Sequence, residues 1–201
     1  MSIGNDLYVD PEASINVESK GYGINQFPIA GSLQCHGGVG YGGTVTYGSI
    51  TAPTNCGAGG PANAGGGAVI LSVAHATTLH GNINAMGQNI YSGSHSTGAG
   101  GSIYLRTGTL MGAGTIKADG GHSSYHMTGG GGRVALVLTA PASTFASHTG
   151  QVTAYAGTSP TSLGNGAAAG TVYLREYGQA EDQGVLIVDD NLWYRPRTTL
   201  L

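Results

Sequence analysis

Gly100-Gly101-Ser102-Ile103-Tyr104-Leu105-Arg106-Thr107, followed by Gly114-Thr115-Ile116-Lys117-Ala118-Asp119-Gly120-Gly121, reads as a strand, a connector, a second strand and a glycine break. In each strand the apolar residues alternate with polar ones, so one face is apolar and the other is not. The first kind of strand recurs at 68–73, 102–107, 133–138 and 171–176, with starts 34, 31 and 38 residues apart. The second kind begins at Gly81, Gly114, Gly150 and Gly184, spaced by 33, 36 and 34 residues, and 14–21 is an additional copy. Two independent anchors sharing one period identify an internal repeat, the first thing to be sought in any sequence.

Aligned on that period, the inward positions form columns. Val69, Ile103, Val134 and Val172 make one, and Leu71, Leu105, Leu136 and Leu174 the next. The second strand stacks Ile15, Ile83, Ile116, Val152 and Leu186, then Val17, Ala85, Ala118, Ala154 and Val188. One repeat cannot bury its own apolar face, so neighbours must stack to make a core. The expected fold is all-β, a parallel and by the crossover rule right-handed β-helix or solenoid of about four coils. Glycine makes up 38 of 201 residues and charged residues only 8%. That composition alone fits a disordered chain, but disorder gives no reason to hold Ile, Leu and Val at fixed offsets from glycine pairs.

The length fits one domain. Residues 1–21 read as an incomplete first coil, 22–66 as a long glycine-rich loop, 67–191 as regular coils and 192–201 as a tail, the whole expected to be a piece of a larger protein. Loops as long as 22–66 are uncommon in compact domains and are usually functional. This one is expected to cover a flank or an end, since bare strand edges invite aggregation. It holds both cysteines. A Cys35–Cys56 bridge would close about 20 residues, worth ~3 kcal/mol in the chain-entropy model; two free thiols are the alternative.

The net charge of −3 and pI near 6.1 leave no electrostatic footprint for nucleic acid. No apolar run approaches the ~20 residues of a membrane-spanning helix, and no metal or other cofactor is expected. The Gly-Gly-Arg at Arg133 lacks the Lys-Ser/Thr and the helix of a phosphate loop. Of the ten acidic residues, only Asp119 falls in the middle repeats, and its best partner, Asp189, lies two repeats away, about 10 Å at the spacing of neighbouring strands. That is a poor acid–base pair for sugar hydrolysis, so no enzyme is expected. The candidate ligand-binding residues are two outward Tyr-x-Arg pairs, Tyr104 with Arg106 and Tyr173 with Arg175, and the loop group His122, Tyr125 and His126. Tyrosine faces beside guanidinium groups suit sugars. Packing beneath the 22–66 segment is the alternative for the pairs, and plain solvation for the histidines.

The string Tyr47-Gly48-Ser49-Ile50-Thr51-Ala52-Pro53-Thr54-Asn55, with Gly66-Gly67-Ala68-Val69-Ile70-Leu71, the opening stretch, Gly131-Gly132-Arg133-Val134-Ala135-Leu136, Gly170-Thr171-Val172-Tyr173-Leu174 and Leu186-Ile187-Val188-Asp189-Asp190-Asn191, resembles the glycine-rich β-helical repeat of very large bacterial cell-surface proteins of the adhesin and fibre kind. The resemblance spans residues 14–191. It implies an extracellular module that binds envelope glycans or proteins through its loop-bearing face. A purely structural spacer is the alternative, and a polysaccharide-processing enzyme the second. The outward positions Val185 and Ile187 are apolar where earlier repeats are polar, so the C-terminal end is expected to be covered, by Leu192-Trp193-Tyr194, by another domain or by a second copy of the chain.

Overall fold

A computed structural model describes residues 1–91, 96–124, 127–160, 166–191 and 199. In chain order the strands are β1 (Ser2–Ile3), β2 (Leu7–Val9), β3 (Ser14–Asn16), β4 (Ala68–Leu79), β5 (Asn82–Asn84), β6 (Ser102–Met111), β7 (Thr115–Lys117), β8 (Arg133–Leu138), β9 (Val152–Thr153), β10 (Thr171–Arg175) and β11 (Val185–Ile187). A 3-10 turn, Phe145–Ser147, precedes β9. One sheet runs β1-β4-β6-β8-β10-β11 with β2 also on β4; the other runs β3-β5-β7-β9.

The columns set the register. Val69 pairs with Ile103, Ile103 with Val134 and Val134 with Val172, all in parallel. In the smaller sheet Ile15, Ile83, Ile116 and Val152 align in the same way. Ile83, Ile103, Leu105 and Ile116 are fully buried between the two sheets, and Ala85 and Ala118 fill the narrower positions beside them. At roughly 25 cal/mol per Å² of apolar surface, one fully buried Leu or Ile contributes about 2 kcal/mol.

The all-β solenoid of about four coils is nevertheless not what forms. The two sheets stay open, and no strand of one pairs with a strand of the other among the described residues. Strand accounts for about 31% of the described residues, and the fold is a mixed one, of largely parallel sheets with a little helix. The regular progression also fails at its last step. β11 does not stack on β9 with Leu186 beneath Val152; it turns back and pairs antiparallel with β10, Leu186 opposite Tyr173. The reason is local. Tyr173 is buried, its hydroxyl donates to Glu181 O and accepts from Gly184 N at 3.1 Å, and this clasp reverses the chain between β10 and β11.

The glycine-rich stretches carry no strand but are firmly held. Gly66 N donates to Ala99 O (2.9 Å), Ala99 N to Ala58 O (2.9 Å), Gly100 N to Gly130 O (2.9 Å) and Gly131 N to Ala168 O (3.0 Å). The 22–66 segment threads into this lattice: Gly130 N donates to Gln34 O (2.9 Å), Gly38 N to Gly131 O (2.8 Å) and Ala168 N to Val39 O (2.8 Å). A Cβ on Gly100 would run into Ala118 O and lie 2.7 Å from Gly132 N. Positive φ occurs at Gly31, Gly48, Gly112 and Gly178, not at Gly100, Gly131 or Gly170. Close approach of backbone to backbone, rather than a special turn, is what requires glycine there.

Candidate functional site

The Tyr-x-Arg pairs do not form an open face. Register places Tyr104 and Tyr173 on either side of Ala135, and Arg106 and Arg175 on either side of Val137. Ala135 and Val137 are themselves buried. Tyr104 is half-buried and Arg106 exposed, while Tyr173 is consumed by the β10–β11 reversal and cannot present its ring to a ligand. The cover comes from the 22–66 segment. Ser102 Oγ donates to Asn55 O (2.6 Å), and Arg133 Nε donates to Tyr47 O (2.8 Å).

Beneath that cover lies a buried polar cluster. His36 Nδ1 sits 2.9 Å from Gly100 O and 3.1 Å from Gly101 O, two acceptors, so Nδ1 carries the proton. Its Nε2 is then a buried acceptor with no hydrogen-bond partner. Full burial, aided by the charge of Arg133, lowers the His36 pKa to about 4. Burial lowers Arg133 to about 10 and raises the phenol of Tyr47 far above its ordinary value. The rings of His36 and Tyr47 lie 4.8 Å apart, centre to centre. Cys35 and Cys56 are not bridged; both are thiols. Cys35 Sγ instead accepts from Gly40 N at 3.2 Å, a backbone role that fixes the thiol inside the segment. This cluster fastens the segment to the sheets.

A cavity of about 260 Å³ opens instead on the outward side of β7 and β9, bordered by Lys117, Asp119, His122, Thr153, Tyr155 and Asp190. Each carboxylate is positioned by a backbone amide: Asp119 Oδ1 accepts from Tyr155 N (2.7 Å) and Asp190 Oδ1 from Ala156 N (3.2 Å). Burial pushes the Asp119 carboxyl above its ordinary value, a shift opposed by Thr153, the Tyr155 amide, Lys117 and His122. Burial first, then the neighbouring Asp189 and Asp119, raises the Tyr155 phenol. Thr153 is 3% exposed. Its Oγ1 lies against Asp119 and helps hold that charge, but falls short of hydrogen-bond geometry and has no other partner.

Of the residues singled out in the sequence, His122 belongs to this cavity; Tyr125 and His126 lie outside the described residues. Asp119 and the Asp189-Asp190 pair meet here on either side of Tyr155 and Ala156. No group of three His, Cys, Asp or Glu side chains suited to a metal ion occurs among the described residues. No helix among them is long and apolar enough to cross a membrane. No family model, curated protein or solved structure matches the chain.

Proposed function

We propose that this chain is a non-enzymatic glycan-binding module of a bacterial cell surface, of the adhesin or fibre kind, and that the Asp119–Tyr155 cavity is its sugar site. The observation that carries the reading is the cavity itself, at about 260 Å³ just below the ~300–1,000 Å³ of small-molecule pockets. That is room for one sugar ring. Carboxylates accept from sugar hydroxyls, and the phenol ring of Tyr155 offers an apolar face with a polar tip. Both carboxylates are engaged by backbone amides, which favours holding a ligand over moving a proton. The surface location rests on the resemblance of the repeat alone.

The test is a broad bacterial-glycan array probed with the wild type and with Tyr155→Ala/Asp119→Asn. The introduced amide keeps an oxygen for the backbone N–H of residue 155, so the variant should melt as the wild type does. Selective binding lost in the variant is the expected result. Binding retained in full would move the site elsewhere, and no binding by either form would leave the spacer reading ahead. The exposed apolar run Val185, Leu186, Ile187 and Val188 supports self-association through the C-terminal end. A sedimentation coefficient unchanged over a hundredfold rise in concentration would remove that part.

A further inference from the structure

The sugar cavity is not isolated. A second cavity, of about 240 Å³, lies beside it, bordered by Ile90, Tyr91, Ser123 and Pro160 and sharing His122 and Thr158 with the first. The two therefore form one groove with His122 and Thr158 at its middle. The groove crosses successive repeats at right angles to their chain direction. Ile90 bridges Ser123 in parallel, Ser123 N donates to Thr158 O (2.9 Å), and Asp190 reaches the Ala156 amide from the following segment. Three steps at the ~4.8 Å spacing of neighbouring strands separate Tyr91 from Asp190, about 14 Å.

Its floor is tied across the repeats by side chains. Asn89 Oδ1 accepts from His122 N (2.8 Å), and His122 Nδ1 accepts from Thr158 N (2.9 Å). Each loop thus holds the next, and the groove exists before any ligand arrives. Pre-formed sites avoid the ordering cost of binding.

The two ends differ in chemistry. At one end Asp119 and Asp190, with Asp189 close to Tyr155, face Lys117 as the one lysine or arginine lining the cavity among the described residues. At the other, Tyr91 stands 80% exposed beside Pro160 and Ile90. An excess of carboxylates repels uronates and sulfated sugars and favours ammonium groups. An exposed phenol ring suits the apolar face of a further sugar.

We infer that the groove takes a linear oligosaccharide of basic amino sugars, with one residue in the Asp119–Asp190 end and the chain running across His122 and Thr158 to Tyr91. The inference rests on the glycan-binding reading above and specifies its ligand. Titration calorimetry with glucosamine oligomers of one to six units tests it, beside the N-acetylated and galacturonate series, on the wild type and on Tyr91→Ala. Affinity is expected to climb at least tenfold from the monomer to the three- or four-unit chain and then level off. Tyr91→Ala should remove most of that gain while leaving the monomer affinity unchanged. The N-acetylated series should bind at least tenfold more weakly, and the galacturonates not at all. Equal affinity at every length would overturn the extended groove and leave the one-sugar cavity standing. Equal affinity for the N-acetylated series would overturn the preference for basic sugars. Silence from all three series, set against Tyr155-dependent binding of another glycan on the array, would sink this inference and spare the broader reading.

Discussion

In the two sheets, Leu71, Leu105 and Leu136 meet side chain to side chain, each with almost no exposed surface. Around 98–100, 129–132 and 168–170 the glycines meet their neighbours through backbone, carbonyls lying where side chains would stand. Both regions are buried and both are built from the same repeat. They differ in what can fail. A side-chain core loses transfer energy and gains a void when an atom is removed. A backbone lattice tolerates no added atom, because its neighbours are carbonyls that cannot rotate away as a side chain does.

The sharpest way to break that comparison is Gly100→Ala. The added methyl would overlap Ala118 O and crowd Gly132 N at 2.7 Å. Overpacking usually costs ~1–3 kcal/mol; with only backbone to yield, a loss of at least ~4 kcal/mol is expected, most of the margin of a protein at the low end of the ordinary ~5–15 kcal/mol range. Gly4→Ala, with nothing within 4 Å of the new methyl, is the control and should be neutral to within ~0.5 kcal/mol. Equal urea midpoints for the two variants would show that the lattice is not tightly packed.

Leu105→Ala probes the other region. The side chain is fully buried, so the loss should fall within ~2–5 kcal/mol, nearer 3 if neighbours close on the cavity. A cost above that of Gly100→Ala, by the same urea midpoint, would reverse the ranking of the two regions.

The third probe concerns the seam between the lattice and the 22–66 segment. Folded His36 takes up a proton only near pH 4, whereas an exposed imidazole does so at 6.5. The unfolded chain therefore binds that proton first as pH falls. The stability held by neutral His36 is complete above about 6.5, declines between 6.5 and 4, and is gone below. At 1.36 kcal/mol per pKa unit the loss is on the order of 3 kcal/mol. His36→Gln, neutral throughout, should flatten the decline between pH 7 and 4.5 in thermal unfolding. An unchanged slope would assign the acid sensitivity to carboxylates instead.

How far these regions could be read in advance follows from the same contrast. The column Val69, Ile103, Val134, Val172 is written in the sequence because an apolar side chain declares which face it belongs to. Glycine declares nothing. Gly100 and Gly131 look the same in a list of residues as Gly178, which turns the chain at positive φ with nothing near it. The partner that makes Gly100 indispensable, Ala118, is fixed only once the sheets are stacked. For that reason 22–66 reads as a loop when it is threaded through the lattice at Gln34, Gly38 and Val39. The C-terminal reversal was equally hidden. Leu186 and Val188 fit the repeat, and the clasp of Tyr173 on Glu181 and Gly184 overrides them. Asp119 stands out as the single carboxylate of the middle repeats, and its companion Asp190 comes from the last segment, where it accepts from the Ala156 amide.

The lattice has a spectroscopic consequence. Among the described residues only about 31% are strand, and most of the others belong to no repeating class. A far-ultraviolet circular dichroism spectrum of the folded protein would therefore resemble that of a largely unordered chain. Amides such as Gly100, Gly131 and Ala168 are nevertheless buried and bonded to carbonyls, so they should exchange with deuterated solvent as slowly as those of a sheet centre. In this protein rigidity and regularity part company, and an optical measure of one is no guide to the other.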